Sequence, residues 1–433
     1  PTYELEDEVD KTLASLVKQT RRIDRIVVIV NGDKKNSTAY NKALPFAKAF
    51  SNVTVDYPRG LAGKANALNW GWRHYCKKLT DVDMVLGVDA DVVCDLDMVA
   101  QLEDELLEDP KAGGVMARYS FAIPNGKLKR SEKSLLYNQR HEFAMAGIRH
   151  QLHGFTSEIL GGQATLFKAS VLNAAAAMTK GNCPWDNTSK VEDAELTRTV
   201  QALGYNARTS RVARAWVGAM LTPQSWQQQR RKWEDGHLED LTREFHPIED
   251  SKRWAEQLAL GGNLLIRIMF FCLLTVSLAQ GKYLFMWVWV TPMFLSVIQS
   301  FLVALKTPNH TLGEVVRSLL FVPDEIYYLR TLSVWLNSLI IAILNVSRDG
   351  WGNQIKSEYG NRRGAPAGWL LIICAISLPA CLTLVISRYV NPVGFDIFLN
   401  TAWAALTIMT MFPILSMLMR IVQMLRHWRI LKP

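Results

Sequence analysis

The stretch VDMVLGVDAD, residues 82 to 91, decides the reading of the first half of this chain: an apolar run that closes on two carboxylates, Asp89 and Asp91, one residue apart. A short apolar run bounded by polar residues predicts a buried strand. IDRIVVIVN, residues 23 to 31, has the same form, ending on Asn31 with Asp33 just beyond. Helical spacing between such runs makes residues 1 to 258 an expected α/β domain, with parallel strands joined by crossovers. Ligands of such sheets sit at the carboxyl ends of the strands, where Asn31, Asp33, Asp89 and Asp91 all fall.

Two carboxylates at a strand end can both turn toward a hard divalent cation, Mg2+ or Mn2+, which brings phosphate oxygens with it. In isolation Asp-x-Asp is more often a solvated turn, and its place after VLGV favours the metal. GKANALNWG, residues 63 to 71, sets Lys64 just before a helix, where backbone N–H groups, the helix dipole and an ammonium can meet a phosphate. Its spacing is not that of a Walker loop, so nucleotide hydrolysis is not indicated.

VEDAEL, residues 191 to 196, opens a helix on Glu192 and Asp193. An acidic pair there suits the helix dipole. A carboxylate at the edge of a donor site can also take the proton of an attacking hydroxyl. QRRKW, residues 229 to 233, offers Arg230, Arg231 and Lys232 to a diphosphate and the Trp233 indole to a sugar ring.

Residues 259 to 433 are of another kind. Residues 284 to 305 carry no charge and are long enough to cross a hydrocarbon core of roughly 30 Å. Residues 263 to 280, 368 to 387 and 397 to 419 are expected to span as well, with Arg267 snorkelling and Pro379 and Pro413 tolerated as kinks. Residues 313 to 346 have helical apolar spacing broken by Asp324, Glu325 and Arg330, which reads as an interfacial helix. Charge parity agrees: four spans keep Arg348, Lys356, Arg362, Arg363 and the basic C-terminal residues on the side of the polar domain.

Together the four motifs resemble the membrane-integrated family 2 glycosyltransferases, the group of cellulose, hyaluronan, chitin and poly-N-acetylglucosamine synthases. The resemblance implies a GT-A (Rossmann-like) α/β domain followed by an α-helical transmembrane domain. PTYE at residues 1 to 4 is similar to the family's PTYNE, which implies that Tyr3 lies beside the uracil and that a strand preceding it is missing here. Asn31 stands where the family has the first Asp of its DDG, with Asp33 beside it. Lys64 would serve the nucleotide diphosphate, Asp89 the nucleotide and metal, and Asp91 the metal. Asp193, with Glu192 before it, would be the general base of the family's TED. Gly162 and Gln163 of GGQ, with Trp233, would face the acceptor. QRRKW is similar to QxxRW, with Gln229 and Trp233 matching and Lys232 in place of Arg, a point charge instead of a bidentate fork.

The implied activity is inverting transfer of a sugar from a UDP-sugar to a glycan or glycolipid acceptor by a multi-pass protein of the cell (inner) membrane, its catalytic domain cytoplasmic. A processive β-polysaccharide synthase coupled to export comes first. A non-processive transferase adding one sugar to a lipid or surface glycan is the alternative. A silent scaffold is kept open by Asn31 and Lys232, whereas a transporter is opposed by spans almost without ionisable residues. The six cysteines lack metal-ligand spacing and imply no disulfide framework. The net charge of +9 suits phosphates and acidic lipid headgroups, and no nucleic-acid-binding motif accompanies it. His150 and His153 are spaced as a metal pair but read better as one helix face.

Overall fold

The computed structural model describes residues 1–32, 36–124, 126–243, 250–282, 286–344, 346 and 367–433, and the chain divides into two compact units between Thr222 and Pro223. In the first unit, β1 (Thr2–Tyr3), α1 (Val9–Leu16), β2 (Ile26–Asn31), α2 (Thr38–Ala49) and β3 (Val53–Asp56) make a parallel sheet of order β1-β2-β3 with two helices. The rest of the unit is α3 (Lys64–Gly71), β4 (Met84–Gly87), β5 (Val92–Cys94), α4 (Met98–Glu108), β6 (Ala112–Phe121), α5 (Arg130–Leu152), β7 (Thr165–Lys168), α6 (Ala169–Met178), α7 (Glu192–Ala202) and β8 (Asn206–Val217). Its second sheet has the order β4-β7-β6-β8-β5.

The expectation of parallel strands holds for β1, β2 and β3 but not for the second sheet. There β4 and β6 each run antiparallel to β7, and only β6 and β8 are parallel. Periodicity finds strands and says nothing of their partners, which are fixed by contacts distant in sequence. Between β2 and β4 lies a cavity of about 680 Å³, lined by Ile26 to Ile29 on one side and Met84 to Val88 on the other. The apolar core joins both sheets through Val28, Val30, Val115 and Leu166, on strands buried along nearly their whole length, and through Met98 and Leu102 at helical spacing on α4.

The second unit is helical. Its elements are α8 (Pro223–Arg243), α9 (Ser251–Ala279), α10 (Trp287–Leu305), α11 (Leu312–Ser318), α12 (Phe321–Ile343), α13 (Ala367–Ile386) and α14 (Pro392–Arg426). The break at Pro223 comes well before the expected boundary at residue 258. The physical reason is that α8 packs on α12, where Trp226 donates its indole N–H to Tyr327 Oη at 3.0 Å.

Helices α9, α10, α12 and α14 are each long and apolar enough to cross a membrane by length and composition. The expected spans 263–280, 284–305, 368–387 and 397–419 fall on α9, α10, α13 and α14; the expected interfacial segment falls on α11 and α12, of which α12 is, unlike an interfacial helix, long and apolar enough to cross. Large apolar side chains such as Trp287, Phe294, Leu378 and Phe412 are mostly exposed, as lipid-facing residues would be. Inside, indoles carry the polar contacts: Trp403 donates to Ser277 Oγ at 3.0 Å and Trp289 to Thr407 Oγ1 at 3.2 Å.

Candidate functional site

The antiparallel pairing of β4 with β7 builds the site. Gly87 lies opposite Thr165, so the chain leaving β4 toward Asp89 and the chain entering β7 from Gly161, Gly162 and Gln163 meet at one end of the sheet. Gly63, at φ +87°, turns the backbone into α3, whose first residue is Lys64. Glycine adopts that angle without the clash a Cβ brings. Asn69, one side of α3, donates to Trp185 O at 2.7 Å and accepts from Trp185 N–H at 3.2 Å. That reciprocal pair ties α3 to the loop ahead of α7, where Glu192 and Asp193 occupy the first turn. Thr197 Oγ1 accepts from Leu160 N–H at 2.8 Å and so fixes α7 to the glycine segment.

These elements converge on one ammonium. Lys64 Nζ is 2.9 Å from Asp89 Oδ1, 3.0 Å from Glu192 Oε1 and 3.3 Å from Asp193 Oδ2. Gly162 donates its backbone N–H to Asp193 Oδ2 at 2.9 Å. A Cβ on Gly162 would stand 2.5 Å from Lys64 Nζ and 2.9 Å from both Asp193 Oδ2 and Asp89 Oδ1, so no larger residue fits without displacing the cluster.

Burial moves the charges here. It opposes the Lys64 ammonium, but the carboxylates of Asp193, Asp89 and Glu192 outweigh it and hold Lys64 well above the usual lysine range. Burial pushes Asp193 up to about 6, against the pull of Lys64 and with help from Glu192 and Asp89. Burial, then Asp89 and Glu6, push Asp91 up to about 7. Glu6 escapes sequence reading because nothing in TYELED distinguishes it from a solvated carboxylate. Asn69, Trp185 and Thr197 escape it too, since their roles lie in hydrogen bonds across the fold.

The structure thus brings Lys64, Asp89, Glu192, Asp193 and Gly162 together, with Asp91 electrostatically linked to Asp89. Tyr3 sits in β1 opposite Asn31, which is buried at the end of β2. Asp33 lies outside the described residues. Gln163 has a buried Oε1 with no hydrogen-bond partner among the described residues. Gln229, Arg230, Arg231, Lys232 and Trp233 belong to α8 of the second unit, where Arg230 and Lys232 are buried and the Arg230 guanidinium lies 4.6 Å from the centre of the Trp233 ring. His150 is no metal ligand paired with His153: its Nδ1 is 3.1 Å from Thr209 Oγ1, and burial, with Arg149 beside it, lowers its pKa to about 4.

A cation fits the site chemically, since an ammonium already draws three carboxylates to within 3.3 Å. Among the described residues no three His, Cys, Asp or Glu side chains are arranged to hold a metal by themselves.

Residues 1–171 match the model of glycosyl transferase family 2. Over that stretch, less than half of its length, the chain is similar to this family. The order of an α/β domain followed by apolar helices is the one expected from the sequence, although the second sheet is mixed where parallel strands were expected. The chain is 27% identical over 259 residues to a poly-beta-1,6-N-acetyl-D-glucosamine synthase of Staphylococcus aureus, a match covering 58% of this chain and 57% of the relative. The enzyme of the same name from Staphylococcus epidermidis is 26% identical over 258 residues, covering 58% and 56%. The chain therefore matches a little over half the length of these relatives. A mannosyltransferase of Pyrobaculum calidifontis, solved with GDP-Man and Mn2+, superposes over 96% of this chain and 85% of its own at 15% identity with a TM-score of 0.40, too low to establish a shared fold.

Proposed function

We propose that this protein is a membrane-bound inverting glycosyltransferase that moves a sugar from a UDP-sugar to a glycan acceptor, as a processive β-polysaccharide synthase coupled to export. The observation that carries the reading is the meeting of Lys64, Asp89, Glu192 and Asp193, from three separate stretches of sequence, around one point. Gathering three carboxylates, half-buried or buried, around one ammonium costs folding free energy, and such clusters concentrate at functional sites. The similarity to the staphylococcal poly-beta-1,6-N-acetyl-D-glucosamine synthases supports N-acetylglucosamine as the first sugar to try.

In the mechanism, Asp193 accepts the proton of an acceptor hydroxyl as that oxygen attacks the anomeric carbon, and the bond to the UDP oxygen breaks on the opposite face. Inversion gives a β-linkage. The Gly162 N–H orients the Asp193 carboxylate by holding Oδ2, and a base titrating near 6 is ionised at neutral pH yet basic enough to work. Lys64 supplies positive charge to the diphosphate. A Mg2+ or Mn2+ ion held by Asp89 and Asp91 would, when bound, stabilise charge on the leaving diphosphate. The roles of Gln229, Arg230, Arg231, Lys232 and Trp233 in holding the donor and of Tyr3, Asn31, Gln163 and Trp233 around base and acceptor rest on the resemblance. The membrane arrangement, with four spans, an interfacial segment near 313–346 and the catalytic domain in the cytoplasm, rests on the uncharged runs and the charge parity of the sequence.

The test is UDP release by the purified protein across a panel of nucleotide sugars, with Mn2+ or Mg2+ and with excess chelator, followed by sizing of the product. Long chains, made only with metal, are expected. Acceptors carrying a single added sugar would replace processive synthesis with the single-addition alternative, and no turnover with any donor would favour the scaffold.

A further inference from the structure

We propose that Lys64 is the resident cation of this site: without donor its ammonium holds Asp89, Glu192 and Asp193 together and masks the base, and arrival of a metal-bound nucleotide sugar draws it off. The inference rests on the donor-site reading above and adds to it how the site is kept closed. An ammonium has three protons and no acceptor capacity. Three carboxylate oxygens lie within 3.3 Å of Nζ, enough to match its donor capacity and leave none over for a phosphate. Lys64 can therefore serve a diphosphate only by leaving at least one carboxylate.

Charge decides which way the exchange runs. Three carboxylates and one ammonium leave a formal excess of two negative charges, which a divalent cation balances. The lysine carries its charge on a flexible four-carbon stem and can swing to the phosphates that come with the ion. Gly162 makes the resident position possible, because any side chain there would fall on the ammonium, and its N–H holds Asp193 independently of the lysine. The base is thereby exposed only when a donor is present to be attacked, which guards against deprotonation of the acceptor hydroxyl while no donor is bound.

The experiment measures Mn2+ binding by electron paramagnetic resonance on the full chain in detergent, for wild type, Lys64→Arg and Lys64→Met, each with and without UDP. If the masked form holds about nine-tenths of the population, Lys64→Met binds Mn2+ alone about tenfold more tightly than wild type, while Lys64→Arg, which keeps the cation, stays with wild type. Wild type is expected to gain strongly from UDP and Lys64→Met little. Equal or weaker Mn2+ binding by Lys64→Met overturns the inference while leaving the donor site standing. No Mn2+ uptake by wild type even with UDP removes the donor-site reading and this inference together. Should Lys64→Met unfold readily, its melting temperature carries the same test: Mn2+ raises it more than that of wild type, and an equal or smaller rise contradicts the proposal.

Discussion

The two units bury charge in opposite ways. Around Lys64 one ammonium is shared by Asp89, Glu192 and Asp193. In the helical unit Arg267 and Glu325 pair one to one, Nε to Oε1 at 2.6 Å and Nη2 to Oε2 at 3.1 Å, with the Arg267 guanidinium 4.7 Å from the centre of the Tyr328 ring. A balanced, bidentate pair is what lets charge sit among apolar helices. An unbalanced cluster costs folding free energy and persists where a cationic ligand is to be met. On the proposed function, the imbalance, more than burial alone, separates the donor site from a structural ion pair.

The largest effect that would break this comparison comes from Asp89. Asp89→Ala is expected to slow UDP release at least about a hundredfold, roughly 2.7 kcal/mol of barrier, while the protein keeps its melting temperature or gains a little as the excess negative charge falls. A variant that unfolds but turns over normally when folded would make the cluster structural. Arg267→Met or Glu325→Gln should do the reverse, destabilising by about 3 kcal/mol because a partly buried charge loses its partner. Thermal unfolding in detergent checks it, and the double variant Arg267→Met with Glu325→Met should recover most of the loss.

His150 shows a third treatment, in which a buried base is kept uncharged. Its folded pKa of about 4 lies below the ordinary 6.5, so the unfolded chain takes up the proton first as pH falls. Its contribution is fully present above pH 6.5 and is lost between 6.5 and 4, about 2 kcal/mol after allowing for partial exposure. His150→Gln should lack that limb in melting curves across this range, and an unchanged limb would remove the assignment. The smallest effect belongs to the exposed pair of Arg21 and Glu103, 2.6 Å apart: Arg21→Ala should cost about 0.5 kcal/mol and lose even that in high salt.

How far the site could be read from the chain follows from which interactions are local. Asp89 at a strand end and Lys64 at a helix start were legible, since an apolar run and a glycine-led helix opening are local patterns. Their meeting with Asp193 was not, because it depends on the antiparallel register of β4 and β7 and on the Asn69–Trp185 hydrogen bonds, none of which has a period. The parallel sheet was right for β1 to β3 and wrong beyond, since an apolar strand looks alike in either direction. The QRRKW motif was read with the first domain because α8 is polar, whereas its packing on α12 sets it in the helical unit.

The most direct test of the shared site is Asp193→Asn, assayed side by side for UDP-sugar binding and for sugar transfer. Asparagine keeps the shape and can still accept the Gly162 N–H, but it cannot take a proton. Donor binding within a fewfold of wild type, with transfer slowed about 10² to 10⁴-fold, is the expected result. Transfer at the wild-type rate would show that Asp193 is not the base and that the carboxylates gathered at Lys64 serve the fold.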